Sequence, residues 1–204
     1  MKLYERLPDT VTVDGRRYRL NLDFHNVLRM MEVLARDDLI PAARAYIALD
    51  CVMRHPPRRR YVGPVLNAVR ALLFPAKPRE NAERLTSFVQ DADLIRAAFW
   101  QVYGVNLYVD HLHWFEFSAL LAGLPDGCRY MEIIGIRARP MPTPDRHNRK
   151  EREALARAKA ACKLELSEAE RKQAYAAGVQ SIFAGLMAWA NAGASTSKGG
   201  EGSG

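Results

Sequence analysis

The chain has 204 residues, 49% of them hydrophobic, enough for one domain of ordinary size with an appendage. No run of about eighteen uncharged apolar residues occurs and the opening MKLYERLPDT lacks a signal-peptide stretch, so no membrane span is expected and a cytosolic protein is. A formal charge of +7 speeds encounters with acidic partners without choosing one, and Cys51, Cys128 and Cys162, never spaced C-x-x-C, exclude a disulfide framework or zinc knuckle.

Residues 11–20, VTVDGRRYRL, alternate apolar and polar side chains around Asp14-Gly15. That dipeptide suits a type I′ turn, whose two central positions need positive φ, so a β-hairpin is predicted. Asp23 then caps a helix on which Val27, Met30, Met31 and Leu34 recur at helical spacing. A second helix is predicted over 39–53, stopped at RHPPRRR, where paired prolines remove amide donors. A short third helix over 65–74 precedes a surface loop, FPAKPREN, and residues 86–90 lead into a fourth with Asp91 or Asp93 near its start. The stripe of the fourth is Leu94, Ala97, Ala98 and Val102, with Ile95 and Phe99 beside it, and Gly104 ends it as a left-handed C-cap.

In VDHLHWFEFSALLAGLPDG, residues 109–127, Asp110 is the candidate N-cap of a fifth helix. Leu112, Phe115, Ala119 and Ala122 share its inward face, Trp114, Phe117 and Leu121 widen it, and Gly123 and Pro125 terminate it. A short helix over 129–135 follows, with Met131 and Ile134 inward and Ile133 the candidate third. Pro140, Pro142 and Pro144 alternate through 138–148, which precludes a helix and predicts a semi-rigid linker at a boundary.

Beyond the linker, RKEREALARAKAACKLEL reads as a charged, alanine-rich helix, and SEAE at 167–170 fits a capping box. The helix it would start carries Tyr175, Val179, Ile182, Phe183, Leu186 and Met187 on one stripe with Trp189 near its end, and is expected to dock on the main domain or a partner. GASTSKGGEGSG, from 193 onward, has nothing to bury and is expected to be disordered.

The densest chemistry lies in DHLHWFEF. On a helix His111 and His113 stand about 200° apart and cannot share one metal. A strand would place both on one face, as zinc prefers, but the Phe115/Ala119 and Trp114/Phe117/Leu121 spacings favour helix. A metalloenzyme built on Asp110, His111 and His113 is therefore disfavoured, and no metal or cofactor is expected. No G-x-S-x-G, phosphate-cradling glycine loop or HExxH occurs and no cysteine has a catalytic context, so no enzyme activity is expected.

Arg54, Arg58, Arg59 and Arg60 and the basic helix over 146–163 could neutralise phosphates. Glu151, Glu153 and Glu165 interleave the second set, and Tyr61 is the only stacking aromatic beside the first, so solvated surface is preferred and nucleic-acid binding stays the alternative. The aromatics Phe99, Trp100, Tyr103, Trp114, Phe115 and Phe117 ordinarily mean core, but six in two adjacent helices could overfill it and leave a groove for a partner helix.

Three segments in order, LPDTVTVDGRRYRLNLDF at 7–24, FVQDADLIRAAFWQVYGVNL at 88–107 and LHWFEFSALLAGLPDGCRYMEIIGIR at 112–137, resemble the gene-product-fifteen family of long-tailed bacteriophages. The family pattern has a Leu-Pro and Asp-Gly hairpin, an Asp-Phe helix start, a QD…I.AAF…YGIDL helix, an LHWWKFRALL.GLP helix and an I..YR ending. Here Asn106 stands for an Asp, Phe115 for the second Trp, Glu116 for a Lys, and Ile136 for the Tyr before Arg137. The resemblance implies a tail assembly chaperone, encoded between the tail tube and tape measure proteins, that binds without catalysis. It would keep the long, apolar tape measure protein soluble until tail tube subunits polymerise around it, a task for an exposed apolar groove.

The expected protein is mainly α: a helical core domain with an N-terminal hairpin (1–137), a proline-rich linker (138–148), a C-terminal helical appendage (149–192) and a disordered tail (193–204). Trp100, Tyr103, His113, Trp114 and Phe117 are the expected groove residues, with Val179, Ile182, Phe183 and Leu186 available for self-association or partner capture. The expected partners are the tape measure protein and other tail assembly proteins, met in the cytoplasm of the bacterial host.

Overall fold

In the computed structural model, which describes residues 5–74 and 85–165, Asp14 and Gly15 both take positive φ, 49° and 71°. They close the predicted hairpin with the twist that a two-residue turn needs. Strand β1 (Thr10–Val13) runs antiparallel to β2 (Arg16–Arg19), with Val11 opposite Tyr18. A two-stranded ribbon is marginal alone. This one buries Val11 and lies on helix α3 (Val62–Leu73).

Helix α1 (Phe24–Ala35) begins where predicted, because the Asp23 carboxylate accepts the amide of His25 at 2.9 Å. It buries Phe24, Val27 and Met30 and packs against α2 (Pro41–Val52), which buries Ala48, Leu49 and Val52. Pro41 opens α2 at a position where no amide is needed. A 3-10 turn at Arg59–Tyr61 feeds directly into α3, which starts three residues before the predicted 65. Pro64 falls in its first turn, where amides have no intrahelical partner anyway, so the helix tolerates it.

Helices α4 (Ala92–Tyr103), α5 (Trp114–Ala122), α6 (Arg129–Ala138) and α7 (Arg149–Ala161) complete the described part. Gly104 ends α4 with φ 67°, its amide reaching back to the Trp100 carbonyl, as its sequence position predicts. Helix α4 packs against α5 and α6, α1 against α5, and α6 against α7. The fold is mainly α with one hairpin among the described residues. None of the described helices is long and apolar enough to cross a membrane.

Three inward faces differ from expectation. Helix α4 buries Ile95, Ala98 and Phe99 while Ala97 is exposed; α6 buries Tyr130 and Ile133, with Met131 and Ile134 only partly covered. Helix α5 buries Trp114 and Phe117 and exposes Ala119 and Ala122. In α4 and α5 the large ring sets the rotation, because it removes more apolar area from water than the alanines do, and in α6 the Tyr130 ring takes the inward place.

The chain divides after Leu164, so residues 138–148 connect two helices of one unit. Leu155 of α7 is buried, and Lys159 Nζ donates to the Arg137 carbonyl at 2.6 Å. The SEAE cap, the stripe with Val179, Ile182, Phe183 and Leu186, and the glycine-rich tail lie outside the described residues, as does most of FPAKPREN.

Candidate functional site

The starts of α1 and α5 are tied by a short antiparallel bridge between Asp23 and His113. Phe24 donates its amide to the Leu112 carbonyl at 3.0 Å, and Trp114 donates to Leu22 at 2.7 Å. Residues 21–25 and 111–115 thus run side by side, although nearly ninety positions separate them in sequence.

This bridge corrects the expected start of α5. Asp110 does not cap it; its carboxylate accepts the Asn106 amide at 2.7 Å, while the Asn106 side chain accepts the Tyr108 amide at 3.1 Å. The cap is His113, whose Nδ1 accepts the Phe115 amide at 3.3 Å while Glu116 returns to accept the His113 amide at 3.0 Å. This reciprocal arrangement satisfies two amides at once. Glu116 therefore serves the helix start. His113 must carry its proton on Nε2, which is buried and has no hydrogen-bond partner among the described residues.

Residues 111–113 lie outside the helix, so the helical argument against a shared metal does not apply to them. Even so, the two histidines part company. His111 Nδ1 meets Asp23 Oδ2 at 2.8 Å, and His25 Nδ1 meets Asp23 Oδ1 at 2.9 Å, with His25 Nε2 against the Leu107 carbonyl at 3.1 Å. Burial pushes the Asp23 carboxyl up, but the hydrogen bonds from His111, His25 and the His25 amide outweigh it and hold the group below its ordinary value of 3.8.

The native state therefore binds a proton at Asp23 less readily than the unfolded chain does. The stability this contributes is complete above the ordinary aspartate value and is lost as pH falls through the lower folded value. Asp23→Ala should cost about 1 kcal/mol at neutral pH, as loss of an N-cap does, with the gap between variant and parent narrowing below about pH 4. Urea melts at pH 7 and pH 3 that showed an unchanged gap would refute this linkage.

Beside this cluster, the self-closed loop 106–110 holds Tyr108 and Val109 outward, 69% and 66% exposed. Across from Tyr108 stands Trp100 of α4, 62% exposed, and the two line a groove of about 420 Å³ floored by Ala97 and Leu107 and rimmed by Asp93 and Arg96. The Arg96 guanidinium lies over the Tyr108 ring at 4.4 Å, which steadies it.

Of the expected groove residues, Trp100 lines this surface. Tyr103 is turned away, donating its hydroxyl to the Leu120 carbonyl at 2.9 Å, and His113 is occupied by capping. Trp114 and Phe117 are core: both are buried, and Phe117 stacks on Phe24 and Phe99 at 4.7 and 5.2 Å. Asp23, His25, Tyr108 and Val109 were not anticipated as site residues, and His111 was weighed only in company with Asp110 and His113. The Asn-x-x-x-Asp spacing of 106–110 is the one local signal for an ordered, outward loop.

Asp91 and Arg137 form a bidentate pair, both contacts 2.8 Å, with the Asp91 side chain only 2% exposed. They are the Asp of the QD pattern and the Arg that closes I..YR, the two ends of the second and third resembling segments. Comparison with curated proteins and with solved structures gives no match. The family described as Bacteriophage Gp15 protein matches residues 3–164, a span that holds the hairpin, all seven described helices and both halves of this ion pair, and the chain belongs to that family.

Proposed function

We propose that this phage protein is a non-enzymatic tail assembly chaperone, holding an amphipathic segment of the tape measure protein or of tail tube subunits in the host cytoplasm. The observation that carries this reading is the Trp100–Tyr108 groove. Two large aromatic rings exposed together on a helix and a self-closed loop are anchors whose ordering cost is already met before binding. Asp93 and Arg96 at the rim supply both charges for register.

The rival, phosphate binding through Arg54, Arg58, Arg59 and Arg60, loses its stacking aromatic. The guanidinium groups of Arg16 and Arg60 already sit over the Tyr61 ring, at 5.3 and 4.7 Å from its centroid. Salt separates the two readings: phosphate contacts by four arginines weaken about a hundredfold between about 50 and 200 mM salt, whereas apolar capture persists.

Co-expression with tape measure fragments should yield a complex that survives this range. Trp100→Ala should weaken it about thirtyfold, a hot-spot loss, while shifting unfolding stability by less than about 0.5 kcal/mol. Equal affinity of parent and Trp100→Ala for the fragment, measured by calorimetry, would remove the groove from the function.

A further inference from the structure

We infer that Asp23, His25 and His111 form a binding site for one divalent transition-metal ion, with Zn²⁺ the best match. One ligand atom from each residue lies within 4.8 Å of the others. Tetrahedral Zn²⁺ with ligands at 2.0–2.1 Å sets them about 3.3 Å apart. His25 Nδ1 lies 2.9 Å from Asp23 Oδ1 and His111 Nδ1 2.8 Å from Oδ2, so the two imidazoles face one carboxylate from its two oxygens, and drawing all three onto one ion takes only a small opening of these contacts.

The second argument is the orientation of the His25 ring. His25 Nε2 faces only a carbonyl, that of Leu107, so it is the nitrogen that carries hydrogen. Nδ1 of the same ring then faces the Asp23 carboxylate at 2.9 Å, on the side where His111 also approaches it. A histidine that donates its distal N–H to a backbone carbonyl and presents the other nitrogen to a shared carboxylate has the outer contact that orients metal-ligating imidazoles.

The scaffold is built before any ion arrives. The Asp23–His113 bridge fixes both backbone segments, and the carboxylate has lone pairs enough to cap His25 and ligate together. His111 is 83% exposed at the mouth of a cleft also lined by Asn21, Asn26, Arg29 and Tyr108, which leaves a position open for a fourth ligand. Two imidazoles favour Zn²⁺ and its first-row neighbours over Mg²⁺ or Ca²⁺. The positive end of α1 and the Arg29 guanidinium oppose the ion, so affinity is below that of structural zinc centres. Only His111 is common to this site and the Asp110, His111 and His113 grouping considered from sequence.

The test is calorimetric titration of ZnCl₂ into the untagged full chain after chelator dialysis, near neutral pH. The expected result is saturable one-to-one uptake, no heat with MgCl₂, and tetrahedral absorption bands when CoCl₂ is the probe. His111→Ala, an exposed change that leaves the bridge intact, should weaken Zn²⁺ about tenfold or more, and His147→Ala should leave it unchanged. No saturable uptake by the parent, or equal uptake by parent and a folded His111→Ala protein, would overturn the assignment.

Discussion

Arg137→Met should lower the unfolding free energy by about 3–5 kcal/mol, the range for breaking a buried ion pair from one side. The Arg137 guanidinium makes four contacts that no other residue could supply together. It donates to both Asp91 oxygens, to the Leu85 carbonyl at 2.9 Å and to the Cys162 carbonyl at 2.6 Å. One side chain thus fastens the lead-in to α4, the end of α6 and the end of α7. The hydrogen bonds it donates to Asp91 hold the guanidinium above its already high ordinary value, so it stays charged at every pH at which the protein folds.

Asp91 in turn accepts the Ser87 amide at 2.9 Å, which shapes the turn before α4. Removing Arg137 takes the counter-charge from a carboxylate with almost no access to water. The Leu85 and Cys162 carbonyls lose this donor as well. Arg137→Lys keeps the charge but not the planar fork, so an intermediate loss is expected. Asp91→Leu combined with Arg137→Met should recover part of the cost, because no buried charge is left, while the Ser87 amide and the Leu85 and Cys162 carbonyls still lose these partners. Urea denaturation of the four proteins checks this. A single-variant loss under about 1 kcal/mol, as for surface pairs, would mean that the pair is wet.

This pair shows where sequence reading stops. Features decided within one turn of chain were legible: Asp14-Gly15 in the hairpin, Asp23 ahead of α1, Gly104 after α4. Each answers a local demand, a positive φ or an unpaired amide, that few residues meet. The start of α5 was misread because Asp110 and His113 are both capable caps, and the choice fell to a loop contact with Asn106 and a bridge to residues 22–24. The inward face moved with it, from Phe115 and Ala119 to Trp114 and Phe117. The Asp23, His25 and His111 cluster and the Asp91–Arg137 pair depend on chain crossings that no periodicity encodes. The family resemblance contained the last two residues as pattern positions but said nothing of their meeting. Of the groove, Trp100 was legible as a surplus aromatic, whereas Tyr108 and Val109 became visible only once the loop between α4 and α5 had a shape.

Phe117→Ala should cost about 3–5 kcal/mol, the range for emptying a buried aromatic site. The ring stacks on Phe24 of α1 and Phe99 of α4, and lies 5.8 Å from Trp114 and 6.1 Å from Phe88. It is the point at which α1, α4 and α5 meet, so its removal takes contacts from all three. A small cavity of about 250 Å³, lined by Phe24, Leu28, Phe88, Ile95 and Phe117, already adjoins it. Collapse into the gap is therefore opposed by stacked rings on one side and existing space on the other, which places the cost toward the upper end. Phe117→Leu, which keeps most of the volume, should lose only part of it. The comparison with Trp100 is the sharper use of this variant. Both aromatics were expected to line a partner groove, but their surroundings assign them opposite phenotypes. Phe117→Ala should lower the denaturation midpoint strongly and reduce tape measure capture only in proportion to the unfolded fraction, whereas Trp100→Ala should reduce capture from a fully folded protein. If Phe117→Ala proved as stable as the parent while losing capture, Phe117 would belong to the binding surface and the α1–α4–α5 junction would have to be held by other contacts.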